Sequence, residues 1–474
     1  MRYPTILLAT IFLSGCAATS TDSARRWLAG DHHIHSQFSV GWQETNPPTP
    51  IIGGDAIYQI SKNAEMAKQF GLEWIVATDH GGPNHSKINL EQAYPALIES
   101  RKTVPEVVQF QGLELNTPAA DHSSIILPHS PDEAKHLFEF ESRFDKLEAW
   151  PKDPARDEED FMLEALKFAK TMPQKPVIIA HHPSRSATAM GEYGLTSPKE
   201  LRVWNNTAPD IAVGMEGAPG HQAAELSKTE KNTIYPAWVF ARGAYGRGYP
   251  TLGGFDQMTA RVGGFWDSML AEGRRWWVTA NSDSHIHYTE GGIDFWPGEY
   301  SKTYVHAIKD HADILDGIRQ GRVFVTTGDL ISELYVTVSQ ESAQAAIGGE
   351  LSLKDGQLIE VLIRLKDPDN ENAAGRNPSV ARVDLIVGEL TALGKNLDRD
   401  EHKSVKVVKR FTRDNWKEKN GYSLMRHSLR LDGPSYLRVR GTNVAKELEP
   451  EPDELGEDPW ADLWFYSNPV FIRR

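Results

Sequence analysis

Five short apolar runs between residues 72 and 285 each end in an acid or a histidine, and this recurrence constrains the fold more tightly than any other feature of the chain. They are "LEWIVATDH" (72–80), "VVQFQGLELN" (107–116), "KPVIIAHHP" (175–183), "DIAVGMEG" (210–217) and "RWWVTANSDSH" (275–285). Apolar runs of this length, closed by polar residues, read as buried strands entering loops. Helix-like text separates them. In "DAIYQISKNAEMAKQFG", Asp55 is placed to cap a helix, Ile60, Ala64 and Ala67 share one face, and Gly71 stands where the helix would stop. Strand alternating with helix implies an α/β fold of parallel strands joined by crossover helices. In a barrel of such strands the C-terminal ends open on one face, where groups from several strands can meet.

The texture changes after residue 330. "LIEVLIRL" (358–365), "ARVDLIVGEL" (381–390), "KSVKVVKRF" (403–411), "SLRLDGPSYLRVRG" (428–441) and "YSNPVFIRR" (466–474) alternate apolar with polar residues. That is the pattern of half-buried antiparallel strands, and it predicts a small C-terminal β-sandwich. A chain of 474 residues is expected to hold two domains, here 27–330 and 331–474. The charged segment 131–159 reads as a surface insertion, and the acidic run 447–458 as a solvated loop. A formal net charge of −14 with no basic stripe argues against nucleic-acid binding.

The first sixteen residues, "MRYPTILLATIFLSGC", combine a basic residue, a short apolar run and a closing Leu-Ser-Gly-Cys. The run is too short to span a bilayer and has the shape of a secretory signal. It resembles a bacterial lipoprotein signal (1–16), which implies cleavage before Cys16, lipidation of that residue and attachment to the membrane of the cell envelope, facing the periplasm or exterior. Cys16 is the single cysteine of the chain, so it has no intramolecular disulfide partner. Residues 17–26 then form a polar tether.

Fifteen of the 17 histidines precede residue 331, so imidazole chemistry belongs to the first domain. In "GDHHIHS", His33 and His35 are two apart and on an extended segment point to the same side, with His32 pointing away. Asp31 could accept a proton from the second ring nitrogen of such a ligand. Asp79 and His80, Glu114 and His122, His181 and His182, and Asp283 and His285 follow at later strand ends. Imidazoles and carboxylates without thiolate suit zinc, manganese or iron.

These pieces, "DHHIHS", "ATDH", "GLEL" with His122, "AHHP" and "SDSH", resemble in kind and order the motifs of the polymerase-and-histidinol-phosphatase (PHP) metallohydrolases. The resemblance implies a distorted (β/α)7 barrel with two or three divalent metal ions at the strand ends. One ion would take His33, His35, Glu114 and Asp283. A second would share Glu114 and add His122 and His182, and a third would use His80 and His285. Many relatives carry a further acid or histidine shortly after the opening motif. This chain has Ser39-Val40-Gly41 there, so two ions are expected. Glu44 or Asp55 could substitute, although Asp55 is already assigned to the helix cap. "HADILDGIRQGRVFVTTGD" (311–329) and "SNPVFI" further resemble the carbaryl-hydrolase-type branch of the family.

A metal-dependent phosphoesterase acting on a small phosphate ester is the function this implies. Two rivals stand beside it: a carboxyl or carbamate ester hydrolase on the same ions, and a non-catalytic, metal-containing surface-binding lipoprotein. Arg185, three residues after His182, could clamp a phosphate oxygen or form a salt bridge on the barrel rim. His181 is expected beside a ligand, Glu216 in the pocket, His221 as a general acid, His287 at the surface, and Trp276 and Trp277 in the core. The text sets no oligomeric state.

Overall fold

The computed structural model describes residues 24–220, 249–353, 358–446, 449–453 and 457–473. Cys16 and His221 lie outside the described residues.

Seven strands lead to the site: β1 (Arg26–Ile34), β2 (Trp74–Ala77), β3 (Val108–Asn116), β4 (His122–Ile126), β5 (Val177–Ala180), β6 (Ala212–Ala218) and β7 (Trp277–Ala280). With β8 (Ser301–Ala307) and β9 (Val323–Thr327) they form one mixed sheet in the order β7-β6-β5-β4-β3-β2-β1-β8-β9. Pairing is parallel for β1/β2, β2/β3, β5/β6 and β6/β7, but antiparallel for β3/β4, β4/β5, β1/β8 and β8/β9. The all-parallel expectation is thus corrected. At β3/β4 the cause is the connection: Asn116 pairs directly with His122, and the short loop between them permits only a hairpin. The sheet curls until β7 meets β8, where the Thr303 hydroxyl donates to Ala280 O (2.6 Å) and accepts from Ala280 N (2.7 Å).

The helix between β1 and β2 spans Ile60–Gln69 and buries Ile60, Ala64 and Ala67, as its periodicity predicts. Its N-cap is Gln59, not Asp55. Gly71 ends it at φ +79°, a conformation that costs other residues steric strain. Within the segment read as a surface insertion, the helix Glu133–Phe144 buries Leu137, Phe140 and Phe144 in the main core. Its apolar face is a structural layer.

The large sheet runs on past residue 330. β9 pairs with Trp464–Ser467, which pairs with Ser435–Thr442, and the order continues through Arg382–Glu389 to Lys406–Thr412. A separate five-stranded antiparallel sheet contains Glu333–Gln340, Leu358–Lys366 and Tyr422–Arg430. In Leu358–Lys366 alternate residues are buried, and Val361 and Ile363 share an apolar cluster with Leu385, Leu437 and Val439 of the large sheet. The segment 428–441 reads as one stretch in the sequence but is two strands, broken at Asp432-Gly433-Pro434.

Candidate metal centre

The curl carries eight imidazole and carboxylate groups to one place. His33 comes from the end of β1, His35 from just beyond it, His80 from the loop after β2, and Glu114 from β3. His122 is the first residue of β4, and because β4 runs antiparallel its N-terminal end lies beside the C-terminal end of β3. His182 follows β5, and Asp283 and His285 follow β7. A β-bulge in the β1/β2 pairing falls between Asp31 and Ile34, at the residues that must be aimed. Ile34 bridges to Ser284, and His35 N donates to Ser284 O (3.0 Å), so the first and last motifs are stitched together. His182 and Asp283 both hold positive φ (22° and 46°), a backbone state that bulky residues keep only where the surroundings impose it.

The closest convergence is around His33. Its Nε2 lies 3.0 Å from His35 Nε2, 3.0 Å from Glu114 Oε1 and 3.0 Å from Asp283 Oδ1. His35 Nε2 is 3.1 Å from the same Asp283 oxygen. The other ring nitrogens are already engaged. His33 Nδ1 donates to Glu216 Oε1 (2.7 Å) and His35 Nδ1 to Ser39 Oγ (2.8 Å). Ser39 in turn donates to Asp79 Oδ1 (3.1 Å), which orients its lone pair toward the ring. Both Nε2 atoms therefore present lone pairs to each other and to two carboxylates, all buried. Such a set repels itself unless a cation lies within it.

The spacing suits a transition metal. Donors about 2.1 Å from one ion stand about 3.0 Å apart at octahedral angles and about 3.4 Å apart at tetrahedral ones. A second set meets the same Glu114 oxygen that faces His33: His122 Nδ1 is 3.0 Å and His182 Nε2 3.4 Å from Glu114 Oε1. His122 Nδ1, the atom turned toward Glu114, is buried without a hydrogen bond. The third set contains His80 Nε2 and His285 Nε2, which lie 3.1 and 3.4 Å from Asp55 Oδ2. His285 Nδ1 donates to Asp283 O (2.9 Å), leaving Nε2 as the donor atom facing Asp55. These residues fit a cluster of divalent ions.

Asp55 is the principal departure from the sequence reading. Between Gly41 and Gly54 the chain makes a hairpin, Gly41–Gln43 against Thr49–Ile51. The two glycines close its base: a Cβ on Gly54 would stand 2.7 Å from Gly41 N and 2.8 Å from Ile51 O. The excursion returns the backbone to its starting point, so Asp55 follows Val40-Gly41 in space although it trails by fourteen positions in sequence. Glu44 is exposed on that hairpin. From the hairpin's far side Asp55 thus reaches His80 and His285.

Other expectations also shift. Asp31 accepts from the backbone N–H groups of His33 (2.9 Å) and Ser282 (2.9 Å), not from a ring nitrogen; Glu216 and Ser39 hold the rings instead. His32 points away, bonded to Ser124 Oγ (3.0 Å) and Thr279 Oγ1 (2.8 Å), and burial pushes its pKa down to about 3. His181 Nδ1 donates to Glu114 Oε1 (2.8 Å), while its ring stacks on His33 at 3.5 Å. Glu216 also accepts from His182 N (2.5 Å). Burial opposes its ionisation, but the imidazoles of His181 and His33 bring it down to about 2. Burial likewise works against the Glu114 carboxylate, which His122 and His33 hold well below its ordinary range. His287 is buried rather than at the surface, bonded to Glu299 Oε2 (2.9 Å) and stacked on Trp296. Trp276 and Trp277 are core residues. Arg185 Nη1 reaches His182 Nε2 (3.1 Å) and Asp283 Oδ2 (3.5 Å), so its guanidinium borders the cluster.

No family model and no curated protein matches the chain. Among solved structures it is similar to a two-domain protein from Bacteroides vulgatus described as containing a predicted PHP-like metal-dependent phosphoesterase, at 13% identity, with 95% of each chain covered and a TM-score of 0.38.

Proposed function

We propose that this chain is a PHP-like metal-dependent phosphoesterase. Its ions are held by His33, His35, Glu114 and Asp283, by Glu114, His122 and His182, and by Asp55, His80 and His285. The observation that carries the reading is the meeting of two buried Nε2 lone pairs with two carboxylates at separations of 3.0–3.4 Å. The seven curled strands β1–β7 support the distorted barrel of that family, and the five-stranded sheet sharing a core with the C-terminal end of the large sheet supports the sandwich.

Divalent ions, when bound, supply a Lewis acid and lower the pKa of water toward neutrality. The protein's own part is orientation and charge. Glu216 and Ser39 accept the Nδ1 protons of His33 and His35, which fixes the tautomer that leaves each Nε2 free to ligate. Arg185, with its side chain 22% exposed, stands beside Asp283 and can bind an oxygen on which negative charge grows. That planar cation favours a phosphate ester over an acyl ester. Hydrolysis of an aryl phosphodiester and an aryl acetate, each assayed after chelation and after return of zinc, manganese or iron, tests the assignment. Metal-dependent turnover of the phosphodiester is expected, and turnover of the acetate alone would replace it with an acyl-ester hydrolase.

We further read the chain as a lipid-anchored protein of the bacterial envelope, on the strength of "LSGC" at residues 13–16. Radiolabelled fatty acid is expected to enter the wild-type protein and not Cys16→Ala.

A further inference from the structure

One cavity opens directly off the Asp55–His80 side of the cluster, and its walls are of a different chemistry. It has a volume of about 370 Å³, and Asp55 and His80 share its lining with Trp42, Trp150, Val40 and Leu147, and with the polar Asn116 and Lys152. We infer that the substrate carries a flat aromatic group, which this cavity receives while the ester lies at the metal cluster. The inference rests on the hydrolytic reading above and adds the substrate class.

Three observations carry it. The volume lies near the lower end of small-molecule sites, which run from roughly 300 to 1,000 Å³, so it admits one or two rings rather than an extended polymer. Trp150 is 45% exposed at this cavity, and its indole Nε1–H donates to Asn46 Oδ1 (3.1 Å) from a segment 104 residues away. One edge of the ring is thus anchored, and about half of its surface is open. Trp42 lies against Gly82, where a Cβ would stand 3.2 Å from Trp42 Cε2 and Nε1; the glycine lets the indole approach the backbone closely at the cavity wall. Two positioned indoles beside a reactive centre favour a planar π-system over an aliphatic group of equal bulk.

The test is isothermal titration of the full-length, metal-loaded protein with two matched pairs, phenylphosphonate against cyclohexylphosphonate and benzoate against cyclohexanecarboxylate. In each pair the head group is constant and only flatness changes. The phenyl member is expected to bind roughly tenfold more tightly. That preference should disappear in Trp42→Ala and Trp150→Ala, persist in Trp42→Phe, and leave metal content and methylphosphonate affinity unchanged in all three. Gly82→Val, which pushes the Trp42 ring aside, should weaken the phenyl compounds only. Equal affinity within both pairs, no binding of either phenyl compound, or a preference that survives both alanine variants would overturn the inference. A preserved preference in a protein that turns over no ester would overturn the hydrolytic reading alone.

Discussion

His33 and His35 owe their availability to what grips the far side of each ring. Glu216 and Ser39 take the Nδ1 protons, and Asp79 orients Ser39, so both Nε2 atoms are left to face Glu114 and Asp283. Replacing Glu216 by Gln keeps an acceptor but removes the buried charge that holds the imidazole. Metal affinity, measured by competition with a chelator, is expected to fall by roughly 10–100-fold with the fold intact. Ser39→Ala should do the same for the half of the site that uses His35. The pairing of His33 with His35 was legible in the sequence because residues two apart on a strand share a side. The identity of their supports was not. Asp31 was the local candidate, but the bulge at His32-His33 turns its carboxylate to backbone N–H groups, and the true acceptor lies 183 positions away on β6.

Elements explain why Asp55 was misassigned and what it does. A hairpin between two touching glycines is invisible to helical periodicity, which saw only an acid shortly before an amphipathic run. The helix starts at Ile60 behind Gln59, and Asp55 is left free to meet His80 and His285. Gly54→Val would force a side chain against Gly41 and Ile51 and displace Asp55. The variant is expected to retain the ions on Glu114 while losing the equivalent associated with His80 and His285, as read by metal analysis after gel filtration.

The helix Glu133–Phe144 makes a separate prediction through Glu141, whose carboxylate accepts from His85 Nδ1 (2.6 Å) and Asn89 Nδ2 (2.8 Å). Burial opposes protonation of His85, but Glu141 outweighs it and raises the imidazole to about 9 from an ordinary 6.5. A raised folded pKa stabilises most below pH 6.5 and loses its effect as pH climbs through 9. The stability advantage of wild type over Glu141→Gln, from urea unfolding at several pH values, should therefore shrink across that window.

At the scale of the whole molecule, the C-terminal strands extend the sheet that carries the site. Trp464–Ser467 pairs with β9, and the Asn468 side chain accepts from Val278 N (2.9 Å) on β7. Arg438, from Ser435–Thr442, donates twice to Asp267 at 2.7 Å with both side chains fully buried, fastening the helix Phe265–Ala271 to that sheet. Arg438→Met is expected to strand the Asp267 charge and cost about 3–5 kcal/mol in denaturant unfolding. A chain ending at residue 330 would bare the edge of β9 and should be recovered as aggregate, which size-exclusion chromatography will show. The alternation in 358–365 and 381–390 made these strands legible as β-structure. Their attachment was hidden, because the pairing of β9 with Trp464–Ser467 spans about 140 positions and no local pattern encodes it.

The account depends on the buried nitrogens and carboxylates at the strand ends holding cations together. Inductively coupled plasma mass spectrometry of the natively purified protein measures that directly. At least two equivalents of zinc, manganese or iron per chain are expected in the wild type, with both lost or sharply reduced in Glu114→Gln, the residue shared by two sets. A folded wild-type protein that retains no transition metal, even after incubation with each of the three ions, would contradict it.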